Sequence, residues 1–250
     1  VNLGERSPLG PRVAVIGGGN VAVDAARAAR RLGSPEVEIV YRRTREEMPA
    51  YAEEVEEALA EGIGFRFLTA PRRVLSRRGR TYGLECLRTE PGPPDERGRR
   101  RPVPVAGSEF VIECDAVLAA VGQGVDLEGW GELPTTPRGT LAVDPRSLQT
   151  ALPWVFAGGD AVTGPASVIE AVAAGHRAVE AIDRFLQGED PAGLEAEAGR
   201  RFPATGEWTP IPTAVRRRER LHPPHRGPAE RCEGFAEVEL EVTEEQARAE

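Results

Sequence analysis

The period of the apolar positions changes several times along the chain, and each change marks an element. Arg12–Ile16 is a short apolar run bounded by Pro11 and Gly17, which is the pattern of a buried strand. After three glycines, Val21, Ala25, Ala28 or Ala29, and Leu32 recur at helical spacing, and Gly33 closes that helix. Val37–Tyr41 reads as a second strand. Met48–Ala60 is acidic and helix-favouring, with Pro49 suited to a first helical turn. Gly64–Leu68 alternates as a third strand, and Arg72–Leu75 with Thr81–Arg88 reads as a hairpin. Pro91–Pro104, rich in Pro, Gly and Arg, is expected to be a loop. Glu109–Glu113 and Ala116–Val121 are two further strands. Strand and helix alternate with a β excursion, which predicts an α/β domain built on a parallel sheet.

A second region begins near Gly122. Leu141–Val143 and Trp154–Ala157 read as strands, and Gly158–Gly159 follows them directly. Ala166–Leu186 is a long helix with Val168, Ile169, Val172, Val179 and Ile182 at apolar positions, closed by Gly188. From Asp190 to Arg231 the sequence is polar and Pro-rich, with the run Arg216–Arg220, and predicts an irregular extension. That run reads as a solvated segment or as a contact for an acidic partner. Phe235–Val242 is a candidate strand. Thr243–Ala249 starts like a capped helix, with Thr243 as N-cap and Gln246 at the third helical position.

Composition narrows the classes. The 250 residues carry 40% hydrophobic and 29% charged side chains, ordinary for a soluble globular protein, and are enough for one large or two small domains. All 32 basic residues are arginine. The net charge of −8 argues against general binding to nucleic acid or anionic membranes. No apolar run reaches the length of a membrane span and no leader precedes the first strand, so a cytoplasmic protein is expected. Cys86, Cys114 and Cys232 are far apart, so neither a dithiol active site nor an iron–sulfur cluster or other metal held by this chain alone is expected.

The chemistry is carried by Gly17-Gly18-Gly19-Asn20-Val21-Ala22, a G-x-G-x-x-A turn between a strand and a helix. Gly17 permits the tight turn, Gly19 lets a pyrophosphate reach the backbone, and Ala22 lets the helix sit close to the strand. The helix start offers unpaired N–H groups and partial positive charge to phosphates. An unliganded glycine-rich turn is the alternative. The second strand ends Tyr41-Arg42-Arg43-Thr44-Arg45, with no carboxylate between Val40 and Arg45 to accept from a ribose diol. An arginine fork there suits a 2′-phosphate, with Arg42 and Arg43 first and Arg45 behind them; a solvated basic face is the alternative. The expected ligand is thus NADPH rather than NADH.

Four longer stretches resemble a known family. They are G-G-G-N-V-A-V-D-A-A-R, V-Y-R-R-T-R-E-E-M-P-A, G-R-R-R-P-V-P-V-A-G-S-E-F and W-V-F-A-G-G-D-A-V-T-G-P-A-S-V-I-E-A-V-A-A-G-H-R-A. In this order they are similar to the small (beta) subunit of NADPH-dependent glutamate synthase and its relatives, over roughly residues 10 to 188, and Glu237–Arg248 resembles the family's closing segment. The resemblance implies a Rossmann-like NADPH domain over residues 10–121, the C-terminal half of a two-dinucleotide-fold FAD domain over 122–188, and an extension with a closing segment over 189–250. It implies NADPH and FAD as cofactors. Gly159 and Asp160 would lie along FAD. Pro165, Ala166, Ser167 and Val168 would present a helix start to the flavin. Gly122 and Gln123 would mark the crossover near the nicotinamide.

The function this implies is hydride transfer from NADPH to FAD, with electrons passing to iron–sulfur centres or a partner. The cofactors carry that chemistry, so no side chain is assigned as acid or base, and His176 and Glu170 are weaker candidates. The chain is expected to be the C-terminal part of such a protein. An iron–sulfur and FAD-binding N-terminal domain or subunit carried elsewhere would complete it, and a glutamate synthase large subunit or ferredoxin would accept the electrons. Two rival readings are an electron-bifurcating ferredoxin:NADP oxidoreductase-type subunit and an NADPH-binding module without activity of its own.

Overall fold

The computed structural model describes residues 9–94, 100–131, 133–193 and 221–249. Its elements are β1 (Arg12–Ile16), α1 (Asn20–Arg31), β2 (Glu36–Val40), α2 (Ala52–Ala60), β3 (Gly64–Arg66), β4 (Thr69–Arg77), β5 (Arg80–Pro94), β6 (Arg100–Pro104), β7 (Phe110–Glu113), β8 (Ala116–Ala119), α3 (Asp160–Thr163), α4 (Val168–Leu186), α5 (Pro228–Cys232) and α6 (Glu244–Ala249). They fall into two compact units, one from the described parts of Val1–Val121 and Arg218–Glu250, the other from those of Gly122–Arg217.

The first unit is built on a parallel sheet of order β3-β2-β1-β8. Alternation along the strands gives it two apolar faces. Val13, Val15, Val37 and Ile39 meet Ala22, Val23, Ala26 and Ala29 of α1, and Val55 and Ala58 of α2. Ala14 and Val40 face the other way, onto Leu84, Cys86 and Cys114. Those residues belong to the β excursion, an antiparallel sheet of order β4-β5-β6 with β7 on β5. The layers are therefore helix, parallel sheet, antiparallel sheet.

The Pro91–Pro104 stretch is not the loop its composition predicts. Pro91–Pro94 continues β5 and Arg100–Pro104 is β6, with Thr89 opposite Pro104, Glu90 opposite Val103 and Pro91 opposite Pro102. In an antiparallel pair only alternate residues direct N–H groups at the partner strand. Val105 N–H donates to the Arg88 carbonyl. That bond makes Arg88 with Val105, and Glu90 with Val103, the hydrogen-bonded pairs. Pro91, Pro102 and Pro104 occupy the intervening positions, where the missing donor costs nothing.

Helix α2 begins at Ala52, not Met48. The segment 45–51 instead returns to the glycine turn, where Ala50 N–H donates to the Gly18 carbonyl at 3.1 Å. The C-terminal residues 221–249 pack back on this unit. Phe235–Val242 makes only a β-bridge, Glu239 to His225, instead of a strand, whereas α6 carries the expected cap. Gln246 N–H donates to Thr243 Oγ1 at 3.2 Å and Thr243 N–H to Gln246 Oε1 at 2.8 Å. Within the predicted irregular extension, Pro228–Cys232 is helical with Pro228 in its first turn. The run Arg216–Arg220 lies outside the described residues.

An ion cluster joins the helices of this unit. Arg27 of α1, 8% exposed, donates to Glu54, Glu57 and Glu61 at 2.6–3.2 Å. The Glu61 carboxylate is fully buried and also faces Arg31 and Arg231.

In the second unit Leu141–Val143 and Trp154–Ala157, expected as strands, contribute one bridge each, Thr135 to Leu141 and Gln149 to Phe156. Backbone hydrogen bonds between them close turns. Asp144 Oδ1 accepts from the N–H groups of Arg146 and Ser147, and Asp144 N–H donates to the Gln149 carbonyl. Helix α4 begins at Val168, two residues later than expected, ends at Leu186 as expected, and is followed by Gly188 at φ +77°.

Candidate functional site

The glycine turn has the geometry its sequence calls for. Gly17 has φ +152°, and a Cβ there would stand 2.4 Å from the Ala120 carbonyl oxygen. Ala22 is fully buried beneath the turn, so α1 sits against β1. Nothing lies within 4 Å of a Cβ built on Gly19, so its outer face is open. Among the described residues, the N–H groups of Gly18, Gly19, Asn20 and Val21 have no acceptor. Four bare donors at a helix start, beside open space, are a donor set of the kind a phosphate accepts from. The Asn20 side chain is engaged with the segment before α2, where its Oδ1 accepts from Tyr51 N–H at 2.9 Å.

The arginines at the end of β2 differ from one another. Arg42 is exposed. Arg43 is half-buried, and its Nε is buried without an acceptor. Arg45 is paired with Glu56 on α2. Tyr41, whose ring lies against Gly18, directly precedes Arg42 and Arg43, whereas Arg45 is engaged on α2. Tyr41 is buried, its hydroxyl donates to the Glu47 carbonyl at 2.8 Å, and burial raises its phenol above the ordinary value.

In the second unit, Gly122, with φ +99°, and Gln123 are exposed. A cleft of about 550 Å³ runs from Phe156 through Asp160 to Ser167 and Val168 at the start of α4. Gly158 and Gly159 line it, and both have a packing reason as well. A Cβ on Gly158 would stand 2.9 Å from Ala174 Cβ, and one on Gly159, where φ is +61°, would stand 3.3 Å from Ala171 Cβ. Asp160 Oδ1 accepts from Ala166 N–H at 3.2 Å, which fixes the Pro165–Ala166 turn. Ser167 and Glu170 form a reciprocal cap, so Ser167 N–H is taken by Glu170 at 2.9 Å. The Ser167 hydroxyl and N–H hold the Glu170 carboxylate below the usual range. The N–H groups of Val168 and Ile169 remain without acceptors among the described residues. Of the helix start predicted over Pro165–Val168, then, Pro165 has no N–H to offer, only the Val168 N–H is free, and Ile169 adds a second.

A family model described as pyridine nucleotide-disulphide oxidoreductase matches residues 3–175. The chain belongs to this family. It is 45% identical over 92% of its length to the beta subunit of NADP(+)-dependent formate dehydrogenase from Moorella thermoacetica. It is 41% identical over 74% to the beta subunit of NADPH-Fe(3+) oxidoreductase from Geobacter sulfurreducens. It is 37% identical over 71% to the small chain of NADPH glutamate synthase from Escherichia coli. These matches cover 33%, 31% and 39% of the relatives, so the chain spans about a third of their length. Among solved structures, thioredoxin reductase from T. acidophilum superposes on 72% of this chain and 54% of its own, with a TM-score of 0.57 at 23% identity. FprA from Mycobacterium tuberculosis, in complex with NADPH, gives the same TM-score at 22% identity, over 72% and 53%. The expected α/β dinucleotide fold is the fold of these proteins.

Cys86, Cys114 and Cys232 are free thiols. Burial pushes the Cys86 thiol up to about 11 and also raises Cys114, which opposes thiolate formation. Cys232 Sγ lies 3.7 Å from the Glu61 carbonyl oxygen. No helix among the described residues is long and apolar enough to cross a membrane.

Sequence reasoning missed Tyr41, Thr89 and the return of Ala50 and Tyr51 to the turn. One signal pointed to Tyr41. The middle position of G-x-G needs no glycine, yet residue 18 is one, because a Cβ there would stand 2.3 Å from the Tyr41 ring.

Proposed function

We propose that this chain is the NADPH-binding part, with half of the FAD site, of a flavin-dependent oxidoreductase. In this reading the N–H groups of Gly18, Gly19, Asn20 and Val21 hold the pyrophosphate, and Arg42 and Arg43 take the 2′-phosphate. The observation that carries it is the set of four N–H groups without acceptors at the glycine turn, together with an arginine, Arg43, at the end of the next strand whose Nε has no acceptor. An arginine with one N–H donor still without an acceptor can offer it to an anion. The relatives whose names carry NADP(+) or NADPH support the same cofactor.

In the second unit, Gly159, Asp160 and the N–H groups of Val168 and Ile169 would lie along FAD, with Gly122 and Gln123 near the nicotinamide. Together the two cofactors supply hydride donor and acceptor. The chain's own task is to bind, orient and exclude water, so no residue is assigned a proton. His176 and Glu170 take no part, and Glu170 is already spent on its cap. An iron–sulfur and FAD-binding segment completes the site, electrons leave to it or to a partner such as a glutamate synthase large subunit or ferredoxin, and the assembly is cytoplasmic. The beta and small-chain relatives of multi-subunit enzymes support a partner. They include formate and iron(III) systems as well as glutamate synthase, so the acceptor is assigned only as a class.

Calorimetric titration with NADPH and NADH tests the cofactor. The double variant R42A/R43A is expected to lose NADPH affinity far more than NADH affinity, and an equal loss sinks the assignment. A visible spectrum tests the flavin. A yellow protein bleached by NADPH supports the enzyme, whereas a colourless one that still binds NADPH supports a binding module.

A further inference from the structure

The backbone that carries Arg42 and Arg43 is fastened from two sides. On one side Tyr41 covers Gly18, donates to the Glu47 carbonyl at 2.8 Å and so draws the 42–51 segment under the glycine turn. Ala50 N–H to the Gly18 carbonyl and Tyr51 N–H to Asn20 Oδ1 complete that seam. On the other side the antiparallel sheet reaches over. The Thr89 hydroxyl, on a residue 3% exposed, donates to the Arg42 carbonyl at 2.8 Å, and Leu68 N–H donates to the Arg43 carbonyl at 3.0 Å. Leu68 has φ +49°, a left-handed conformation unusual for leucine, held here by that bond and by Thr89 N–H on its own carbonyl. None of these anchors comes within 4 Å of a Cβ built on Gly19. Their effect is to fix how far the guanidinia stand from the bare N–H groups of the turn.

We infer that Tyr41 and Thr89 are specificity-positioning residues. They set the spacing between the pyrophosphate turn and the arginine pair, and so govern the preference for a dinucleotide bearing a ribose phosphate over one without it. The inference rests on the reading of Arg42 and Arg43 given above. Its physical basis is preorganisation. A planar fork discriminates a phosphate only when held to within about half an ångström, and a strand end fixed before binding pays no ordering cost afterwards.

The test is titration calorimetry of the 250-residue chain with NADPH and with NADH, for the wild type, Tyr41→Phe, Thr89→Val and R42A/R43A. Tyr41→Phe keeps the ring over Gly18, and Thr89→Val keeps nearly the same shape. Each is expected to weaken NADPH by about 3- to 10-fold, the worth of one hydrogen bond. NADH is expected to stay within about 2-fold, because a shifted arginine matters only where there is a phosphate to meet. Equal weakening of both dinucleotides marks a merely structural role and overturns the proposal. A preference lost in R42A/R43A but kept in both single variants overturns the positioning role alone. A preference unchanged in R42A/R43A overturns the arginine reading and this inference with it. If Tyr41→Phe does not fold, Thr89→Val decides by the same criteria.

Discussion

At the scale of single residues, the three glycines of the turn differ in what a side chain would meet, the Ala120 oxygen at Gly17, the Tyr41 ring at Gly18 and open space at Gly19, and substitution separates them. Gly19 adopts φ −91° with open space around it, so Gly19→Ala is expected to leave stability within about 0.5 kcal/mol while weakening NADPH, whose pyrophosphate needs that space. Gly18→Ala would drive a methyl into the Tyr41 ring and is expected to cost about 1–3 kcal/mol in urea unfolding. A pair of variants with equal stability would refute this division. Asp115 carries a pH dependence. Its carboxylate accepts from Arg12 N–H, Nε and Nη2 at 3.0–3.2 Å, and the Arg12 guanidinium holds it below the usual carboxylate range. A lowered value in the folded state means the stabilisation is complete above the unfolded value of about 3.9 and fades as pH falls below it. Urea midpoints measured from pH 6 to pH 2.5 are expected to decline less steeply in Asp115→Asn than in the wild type. The open face at Gly19 and the close packing of Ala22 were legible in the sequence as a strand–turn–helix pattern, but the Ala120 oxygen that bars a side chain at Gly17 was not. The role of Gly18 was not, since it depends on a ring 23 positions away.

Elements were legible where one periodicity served one face. β1, α1 and β2 fall within a residue of their predicted bounds, because each buries a regular stripe. Misreadings arose where long-range bonds took over, as at the start of α2, or where composition spoke against a ladder that the prolines do not interrupt, as in β5 and β6. Helix α4 is the instructive case. Its large apolar residues suggest its packed face, yet Val168 is 82% exposed and Val179 66%, while Ala174 and Ala181 are buried. The face that packs within the second unit is the small one, because Gly158 and Gly159 admit the helix so closely. Gly158→Ala would set two methyl carbons 2.9 Å apart and is expected to cost about 1–3 kcal/mol. Val179→Ser on the exposed side is expected to cost under about 0.5 kcal/mol. Urea unfolding of the two variants settles the order, and a larger cost for Val179→Ser would mean that the large face is covered in solution.

Across the molecule, the feature least legible in the sequence is how the C-terminal residues rejoin the first unit. The capped helix at Thr243 could be read because a capping box is local. The docking of α5 could not, because its partners lie some 170 positions earlier and no spacing rule links them. Arg231, 9% exposed, brings Nη1 to 3.5 Å from Glu57 and 3.9 Å from Glu61, near enough for ion pairing but not for a hydrogen bond. His225 Nδ1 stands 2.7 Å from Glu57. Glu61 is the hub, since its buried carboxylate faces three guanidinia and is held at 2.7 Å by Arg27. Removing one partner of a buried ion cluster strands the others, at a cost of about 3–5 kcal/mol. Glu61→Ala is therefore expected near that range. Arg231→Ala should cost less, because Glu61 keeps Arg27 and Arg31. If the tail docks through this hub, the two losses overlap, and the double variant unfolds at a higher urea concentration than the sum of the two single losses predicts. Strict additivity in that cycle would show that the tail is held by something other than Glu61, and would leave the cluster as a fastening between α1 and α2 alone.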